Sequence, residues 1–324
     1  MKIFLPVAFV LSWLVALPLW LGGGLASPYF RVLATVMMFT PSLGVLAVWL
    51  RSRTPFRQWA RETGLTLGPR PGRTVLVGLG AWLSTVLLVL VAGALSAAVG
   101  LLTLDLHDFA TFRAVLGAQG VPVPANVGAI VAIQVVVGIL IAPVINALPS
   151  LGEEWGWRGW LLPTLVRSRG LGQGLVLSGV IWGLWHAPLT LLGYNYPGLG
   201  PWAAAYFVVT CVFIGLIFGW LRLRTGSVWP PVIAHGTLNG TASLLFLFAA
   251  KRPDPALAGI TGAVGWVVMG LTALALYKFL PVRQASAEGG ADHQAAGRRD
   301  LDQGAEHVAG HTAEPAPGMP EQHQ

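Results

Sequence analysis

Residues 74–102 read TVLVGLGAWLSTVLLVLVAGALSAAVGLL and contain no charged side chain. Crossing about 30 Å of hydrocarbon takes roughly 20 apolar residues in a helix, so this stretch predicts a transmembrane helix. The rest of the 324-residue chain is similar, with 55% hydrophobic and only 10% charged residues. Soluble domains contain about 25% charged residues. The composition therefore excludes a single large soluble domain, and a lone cysteine, Cys211, excludes an internal disulfide framework.

The same reading along the chain gives eight candidate membrane segments. Their limits are 3–22, 32–50, 74–102, 127–148, 174–193, 203–221, 228–250 and 256–280. The stretch 151–163, LGEEWGWRGWLLP, is expected to extend the fourth helix, in which Pro143 permits a kink. We therefore predict an all-α fold, a polytopic transmembrane helical bundle of about eight spans in the cell membrane.

The basic residues predict the orientation of this bundle. Residues 1–280 contain 17 Lys and Arg but six acidic residues, and the linker 51–73 holds six arginines against Glu62 alone. Cytoplasmic loops carry such an excess, so we expect this linker, the N-terminus and the C-terminus to be cytoplasmic. Because the positive charge lies between apolar segments, it argues for membrane topology and against a nucleic-acid partner.

The first segment allows a second interpretation, and the last residues are expected to lie outside the helical bundle. The first segment could instead be a cleaved signal peptide with a small-residue site at Gly24 and Ala26, but its apolar run is longer than usual. Residues 281–324 carry three basic and seven acidic residues and almost no large apolar ones. Such a segment cannot bury a core, so we expect a disordered tail.

Few ionisable side chains lie within the predicted spans. Each costs about 2.5–3.5 kcal/mol on insertion and is a candidate functional group. They are Glu153, Glu154 and Arg158 in the extended fourth helix, His186 in the fifth and His235 in the seventh, with Asn239 four residues after His235. Three tryptophans in the same stretch are expected at the membrane interface: Trp155, Trp157 and Trp160.

Helical spacing divides these residues into groups. Glu154 and Arg158 lie i,i+4 and can pair, whereas Glu153 points about 100° away and stays free. His235 and Asn239 also share a face. Counted from the helix ends, Glu153, His186 and His235 reach a similar depth, which predicts one shared pocket. From the residues alone, a structural ion pair and helix–helix hydrogen bonds remain alternatives.

The polar residues form three motifs on successive membrane segments. Glu153-Glu154-Trp155-Gly156-Trp157-Arg158 resembles the EExxxR motif of the CPBP family, which includes type II CAAX prenyl proteases and bacteriocin-processing proteases. Trp182-Gly183-Leu184-Trp185-His186 is similar to its FxxxH motif, with Trp182 in place of phenylalanine. His235-Gly236-Thr237-Leu238-Asn239 is similar to its HxxxN motif.

The resemblance implies an intramembrane endopeptidase whose cavity opens towards the cytoplasm. Its partners are the lipid bilayer and a membrane-embedded or lipidated peptide or protein substrate. The chain would then divide into N-terminal helices 1–124, a catalytic core 125–250, a last helix 251–280 and the tail 281–324. Trp182 is expected to be a packing or substrate-side wall.

Two mechanisms are open for such a site. In the favoured one, Glu153, hydrogen-bonded with His186, deprotonates a water, while His235 and Asn239 face the oxyanion and Glu154 with Arg158 holds the site in place. In the other, Glu153, His186 and His235 bind a divalent metal such as zinc, although no HExxH motif is present. The runner-up functions are a transporter with a proton relay and a non-catalytic membrane scaffold.

Overall fold

The computed structural model describes residues 1–118, 120–124 and 126–282. Within these ranges the chain is helical, and no β-strand occurs beyond an isolated bridge between Leu104 and Ala249. The all-α prediction is therefore confirmed. The predicted disordered tail lies outside the described residues, apart from its first two positions.

Fourteen α-helices, numbered in chain order, make up the described part. They are α1 (Phe4–Leu21), α2 (Phe30–Met37), α3 (Thr40–Arg51), α4 (Phe56–Glu62), α5 (Pro71–Ala98), α6 (Ala110–Ala118), α7 (Val127–Val136), α8 (Ala142–Glu154), α9 (Leu162–Arg169), α10 (Leu171–Trp185), α11 (Ala187–Thr190), α12 (Trp202–Thr225), α13 (Trp229–Thr241) and α14 (Ala263–Phe279).

Membrane spans follow from the lengths and composition of these helices. Within the described ranges, six helical stretches are long and apolar enough to cross a bilayer, namely Phe4–Leu21, Phe30–Arg51, Pro71–Ala98, Val127–Arg169, Trp202–Thr225 and Trp229–Phe248. Two shorter apolar helices, α10 and α14, account for the other two predicted segments. The protein is therefore a multi-pass membrane protein built as a helical bundle, while the number of complete crossings stays a prediction.

The fourth stretch is one long helix with two π-helical turns. These turns, Val137–Ile141 and Trp155–Leu161, join α7 to α8 and α8 to α9. The mixed stretch 151–163 is helical throughout, as predicted. The first turn ends two residues before Pro143, which has no amide hydrogen for the helical ladder. The second begins directly after Glu154, and π turns are frequent at functional sites.

Two predicted segments have wrong boundaries. The segment 174–193 stops being one helix at Trp185, so His186 lies between α10 and α11, and Pro188 cannot donate the next helical hydrogen bond. The seventh segment agrees with the helical stretch Trp229–Phe248, in which α13 ends at Thr241 and a 3-10 turn, Leu244–Phe248, follows. The last begins only at Ala263.

The predicted interfacial tryptophans are in fact part of the packed interior. Trp155 and Trp157 are buried and Trp160 is half-buried. The ring of Trp157 lies between Phe4 of α1 and Trp185 of α10, at centroid distances of 5.5 and 5.7 Å. This packing fixes the helix that carries the glutamates against its neighbours.

Candidate active site

Glu154 is the centre of a buried charged group. It is fully buried at the C-terminal end of α8. Its Oε1 accepts a hydrogen bond from Arg158 Nη1 at 2.9 Å, the i,i+4 pair that the spacing predicts. The same oxygen lies 2.8 Å from Nδ1 of His235 on α13, which donates to the carboxylate. Glu154 therefore links its own helix to α13.

Glu153 has a different set of neighbours. Its side chain is buried, and its Oε2 accepts a hydrogen bond of 2.7 Å from the indole Nε1 of Trp182 on α10. His186 Nε2 lies 4.0 Å from the same oxygen, so the predicted direct hydrogen bond between these two residues is not formed. A distance of this size is one that a water can bridge. Glu153 is thus held by Trp182 and faces His186.

Trp182 touches every ionisable member of the group except Glu154. Its ring lies 3.9 Å from the Arg158 guanidinium carbon, and its ring centroid is 5.6 Å from those of both His186 and His235. Its carbonyl oxygen lies 2.9 Å from His186 Nδ1. Because a carbonyl only accepts, Nδ1 carries the proton and Nε2 keeps its lone pair on the Glu153 side. The sequence predicted that the Trp182 ring would form a wall of the site. It did not indicate that the indole Nε1 would donate a hydrogen bond to Glu153.

These side chains meet at a cavity of about 490 Å³. Four of the six predicted site residues line it: Glu153, His186, His235 and Asn239. The amide of Asn239 is exposed there and available to a ligand. Glu154 and Arg158 lie behind this wall. The full lining is Phe30, Arg31, Ala34, Thr35, Met37, Met38, Asn146, Glu153, Trp182, Trp185, His186, Leu189, Tyr194, Asn195, Phe207, Ile214, His235, Leu238, Asn239, Ala242, Ser243 and Thr261.

Sequence reasoning missed several polar lining residues, including Asn146, Arg31 and Tyr194. Asn146 lies seven residues, or two helical turns, before Glu153 and so on the same face of α8. That spacing within an apolar helix was a signal that could have found it. Arg31 and Tyr194 come from the start of α2 and the loop after α11, and only the fold brings them to the cavity.

The mouth of the cavity lies at one end of the bundle. Its exposed lining residues include Arg31, Tyr194 and Ser243. Arg31 begins the helical stretch that ends at Arg51, so the two arginines are about 30 Å apart at 1.5 Å per residue. The mouth is therefore at the end opposite the Arg-rich linker 51–73. The cytoplasmic positions expected above for the linker and for the opening of the cavity both stay predictions.

The proposed metal ligands do not form a metal site as they are arranged. Across the described ranges, no group of three or more His, Cys, Asp or Glu side chains is placed to hold a metal ion. Glu153 Oε2 is engaged by Trp182, and His235 Nδ1 by Glu154. Two imidazoles and a carboxylate suit zinc chemically, so the metal alternative stays a prediction.

Comparison with known proteins gives this geometry a context. Residues 128–241, which contain all six predicted site residues, match the family of type II CAAX prenyl endopeptidases, Rce1-like. CAAX prenyl protease 2 of Methanococcus maripaludis is 30% identical over 103 residues, covering 30% of this chain and 38% of that protein. The chain thus spans well under half of the length of this relative. The similarity of this chain to the Rce1-like family of type II CAAX prenyl endopeptidases therefore covers residues 128–241.

Proposed function

We propose that this protein is an intramembrane endopeptidase that hydrolyses a peptide bond with a water activated by Glu153. The observation that carries the proposal is the meeting of Glu153, His186, His235 and Asn239 at one cavity within a membrane bundle. A carboxylate, two imidazoles and an amide supply the base and the donors that amide hydrolysis needs. The family match over the same residues supports this reading.

The first step is attack by water on the peptide carbonyl. The water sits between Glu153 and His186, whose 4.0 Å separation leaves room for one bridging molecule. Glu153 takes the proton as the water oxygen bonds to the carbonyl carbon, because it is the cavity carboxylate without a cationic partner in direct contact. His186 Nε2 accepts the second water hydrogen and so orients the lone pair of the nucleophile.

The second step is collapse of the tetrahedral intermediate. The Asn239 amide donates to the oxyanion, and His235 faces the oxyanion through Nε2, because its Nδ1 is already bound to Glu154. Each such donor contributes about 2.7–4 kcal/mol in proteases where it has been removed. As the C–N bond breaks, Glu153 returns its proton to the leaving amine. The products are one carboxylate and one amine.

The proposed substrate is a membrane-associated peptide or protein of the CAAX type or of a bacteriocin-like type. A CAAX substrate is suggested by the name of the relative from Methanococcus maripaludis. The mixed lining of the cavity suits a peptide whose backbone is bound by Asn146 and Asn239 and whose apolar side chains contact Met37, Met38 and Phe207.

A proton-relay transporter would use the same buried Glu and His residues but would leave peptides intact. The test is therefore cleavage of a panel of farnesylated and transmembrane-anchored peptides by the purified full chain in lipid nanodiscs, analysed by mass spectrometry. We expect a single cut in at least one peptide class, lost in the Glu153→Ala and His186→Ala variants. Unchanged cutting by both variants would contradict the proposal.

The same assay addresses the metal alternative. We expect the rate to stay within about twofold after prolonged treatment with a strong chelator, because Glu153 alone provides the base. Loss of activity on chelation, followed by recovery with zinc but not with magnesium, would instead support Glu153, His186 and His235 as metal ligands.

A further inference from the structure

The linker 51–73 lies at a membrane surface, because it joins two apolar helical stretches that are each long enough to cross a bilayer. One stretch, Phe30–Arg51, ends where the linker begins, and the next, Pro71–Ala98, starts within it. Large apolar side chains are exposed at this boundary: Leu50 is 75% exposed and Phe56 is 46% exposed. Aromatic and aliphatic side chains of this kind contact the boundary between headgroups and acyl chains. The linker is therefore within reach of lipid headgroups.

The positive charge of the linker is not balanced by acidic side chains. The linker has six arginines and one acid, Glu62. Five of the arginines are exposed, namely Arg51, Arg53, Arg57, Arg61 and Arg70. The Glu62 carboxylate accepts a hydrogen bond from Gln58 Nε2 at 2.8 Å. Among the described residues, every contact between opposite charges within 4.0 Å involves Glu153 or Glu154, so no linker arginine has one.

Helix α4 presents two of these arginines on one exposed face. Trp59 is buried and anchors the helix against the bundle. Arg57 and Arg61 each lie two residues from Trp59, which places them about 160° away around the helix. They are four residues apart, a spacing at which like charges destabilise a helix. An anion bound between the two guanidinium groups would remove this repulsion. Arg53, four residues before Arg57, adds a third exposed positive charge.

The linker is also bonded to the helix that carries the glutamates. Thr63 Oγ1 accepts a hydrogen bond of 2.9 Å from Nε1 of Trp155, in the helical turn after the glutamates. Arg222 connects the same two elements, because its Nε donates to the Arg158 carbonyl at 3.1 Å and its Nη2 to the Glu62 carbonyl at 3.3 Å. A ligand that holds α4 in place therefore also stabilises the packing of the site helix.

We propose that Arg53, Arg57 and Arg61 form a binding site for the phosphate of an anionic phospholipid headgroup. A guanidinium presents its N–H donors in a planar fork that fits phosphate oxygens, and basic clusters next to membrane helices attract anionic lipids. A lipid is favoured over free phosphate because Leu50 and Phe56 offer its acyl chains an apolar contact beside the arginines. The site is separate from the cavity and is the same for either orientation of the bundle in the membrane.

Binding is measured on the full chain in detergent micelles that contain equal amounts of phosphatidylglycerol and phosphatidylcholine with identical acyl chains. Native mass spectrometry counts the lipids that each protein retains. We expect the wild type to retain at least about threefold more phosphatidylglycerol than phosphatidylcholine. The triple variant Arg53→Gln, Arg57→Gln, Arg61→Gln should retain the two lipids equally. The corresponding triple substitution to Lys should keep most of the preference, because the positive charge remains.

The matched control removes three positive charges elsewhere, in the triple variant Arg113→Gln, Lys251→Gln, Arg252→Gln. These residues lie in or beside connections that also contain acids, Asp108 and Asp254. We expect its preference for phosphatidylglycerol to equal that of the wild type. An equal loss of preference in both Gln triple variants, or a preference that survives in the linker variant, would overturn the proposal. Loss of the preference in the Lys variant would overturn it as well.

Thermal unfolding in the same micelles gives a second measurement, which requires no catalysis. Phosphatidylglycerol should raise the unfolding temperature of the wild type by at least about 3 °C relative to phosphatidylcholine, because a ligand of the folded state stabilises it. The linker Gln variant should show no such difference. An excess of inorganic phosphate should neither reproduce the stabilisation nor release the lipid. Stabilisation by phosphate alone, or equal stabilisation of the linker Gln variant by the lipid, would contradict a headgroup site at these arginines.

Discussion

The two adjacent carboxylates Glu153 and Glu154 have different neighbours. Glu154 has Arg158 and His235 on one oxygen, a buried arrangement whose disruption by removing one partner typically costs about 3–5 kcal/mol. Glu153 has one neutral donor, Trp182, and faces the cavity. We therefore propose that Glu154 stabilises the site and that Glu153 is the carboxylate left to react.

Trp182 is the residue that positions Glu153, and its indole donor can be tested by removing it alone. Trp182→Phe keeps an aromatic ring beside Arg158 but deletes the Nε1–H that Glu153 Oε2 accepts. A hydrogen bond to a charged group contributes about 1.5–3 kcal/mol, so kcat/KM should fall by at least about tenfold. The acid limb of the pH–rate profile should also move to higher pH, because the donor favours the ionised carboxylate.

The matched control is Trp185→Phe. Trp185 also lines the cavity, but its Nε1 donates to Thr40 Oγ1 at 3.1 Å rather than to Glu153. We expect its acid limb to stay at the wild-type position. The ionisable groups around Glu153 are unchanged in both variants: Glu154, Arg158, His186 and His235. Equal shifts in the two variants, or none in Trp182→Phe, would show that Trp182 only fills space.

At the scale of single residues, spacing along one helix was predictable and contacts between helices were not. The pairing of Glu154 with Arg158 follows from an i,i+4 interval and is present. The bonds from Trp182 to Glu153 and from His235 to Glu154 depend on how three helices rotate against one another. Sequence periodicity carries no information about that rotation, so these contacts could not be anticipated.

The helix α10 approaches α12 closely because of two glycines. A Cβ on Gly183 would lie 2.5 Å from Val208 Cα, and one on Gly179 would lie 2.6 Å from Val212 Cα. Glycines four residues apart allow helix backbones to approach in membranes. This contact sets the position of α10, which ends only one residue before His186.

Gly183→Ala should therefore disturb the site through the backbone. The added methyl group meets the main chain of α12, and overpacking of this kind costs about 1–3 kcal/mol. Because His186 follows three residues later, we expect kcat to fall by about 10- to 100-fold, as small misplacements of catalytic groups do. The measurement is peptide cleavage together with thermal unfolding in the same detergent.

Gly172→Ala is the control on the same helix. A Cβ at Gly172 meets nothing within 4 Å, so its unfolding temperature and kcat should match those of the wild type. Equal losses in the two variants would contradict a specific role for the contact between α10 and α12. Because the Gly179-xxx-Gly183 spacing is visible in the sequence, a close helix–helix contact at these glycines was predictable. Which helix would be the partner was not.

The bundle as a whole was largely predictable, because composition and apolar length decide the class of a membrane protein. All eight predicted segments contain helix. The errors lie at the ends, where Pro188 interrupts the fifth segment and turns replace the beginning of the eighth. The position of the mouth was also beyond the sequence, because it depends on which helix ends enclose the cavity.

The central claim is that Glu153 activates the water that cleaves the peptide. It is tested most directly by the ratio of kcat for wild type and Glu153→Gln on one membrane-anchored peptide, measured in nanodiscs with equal amounts of folded protein. Glu62→Gln makes the same chemical change on the linker, where the Glu62 carboxylate accepts a hydrogen bond from Gln58. We predict a loss of about 10²- to 10⁴-fold for Glu153→Gln and none for Glu62→Gln. A Glu153→Gln rate within about twofold of the wild type would contradict the account.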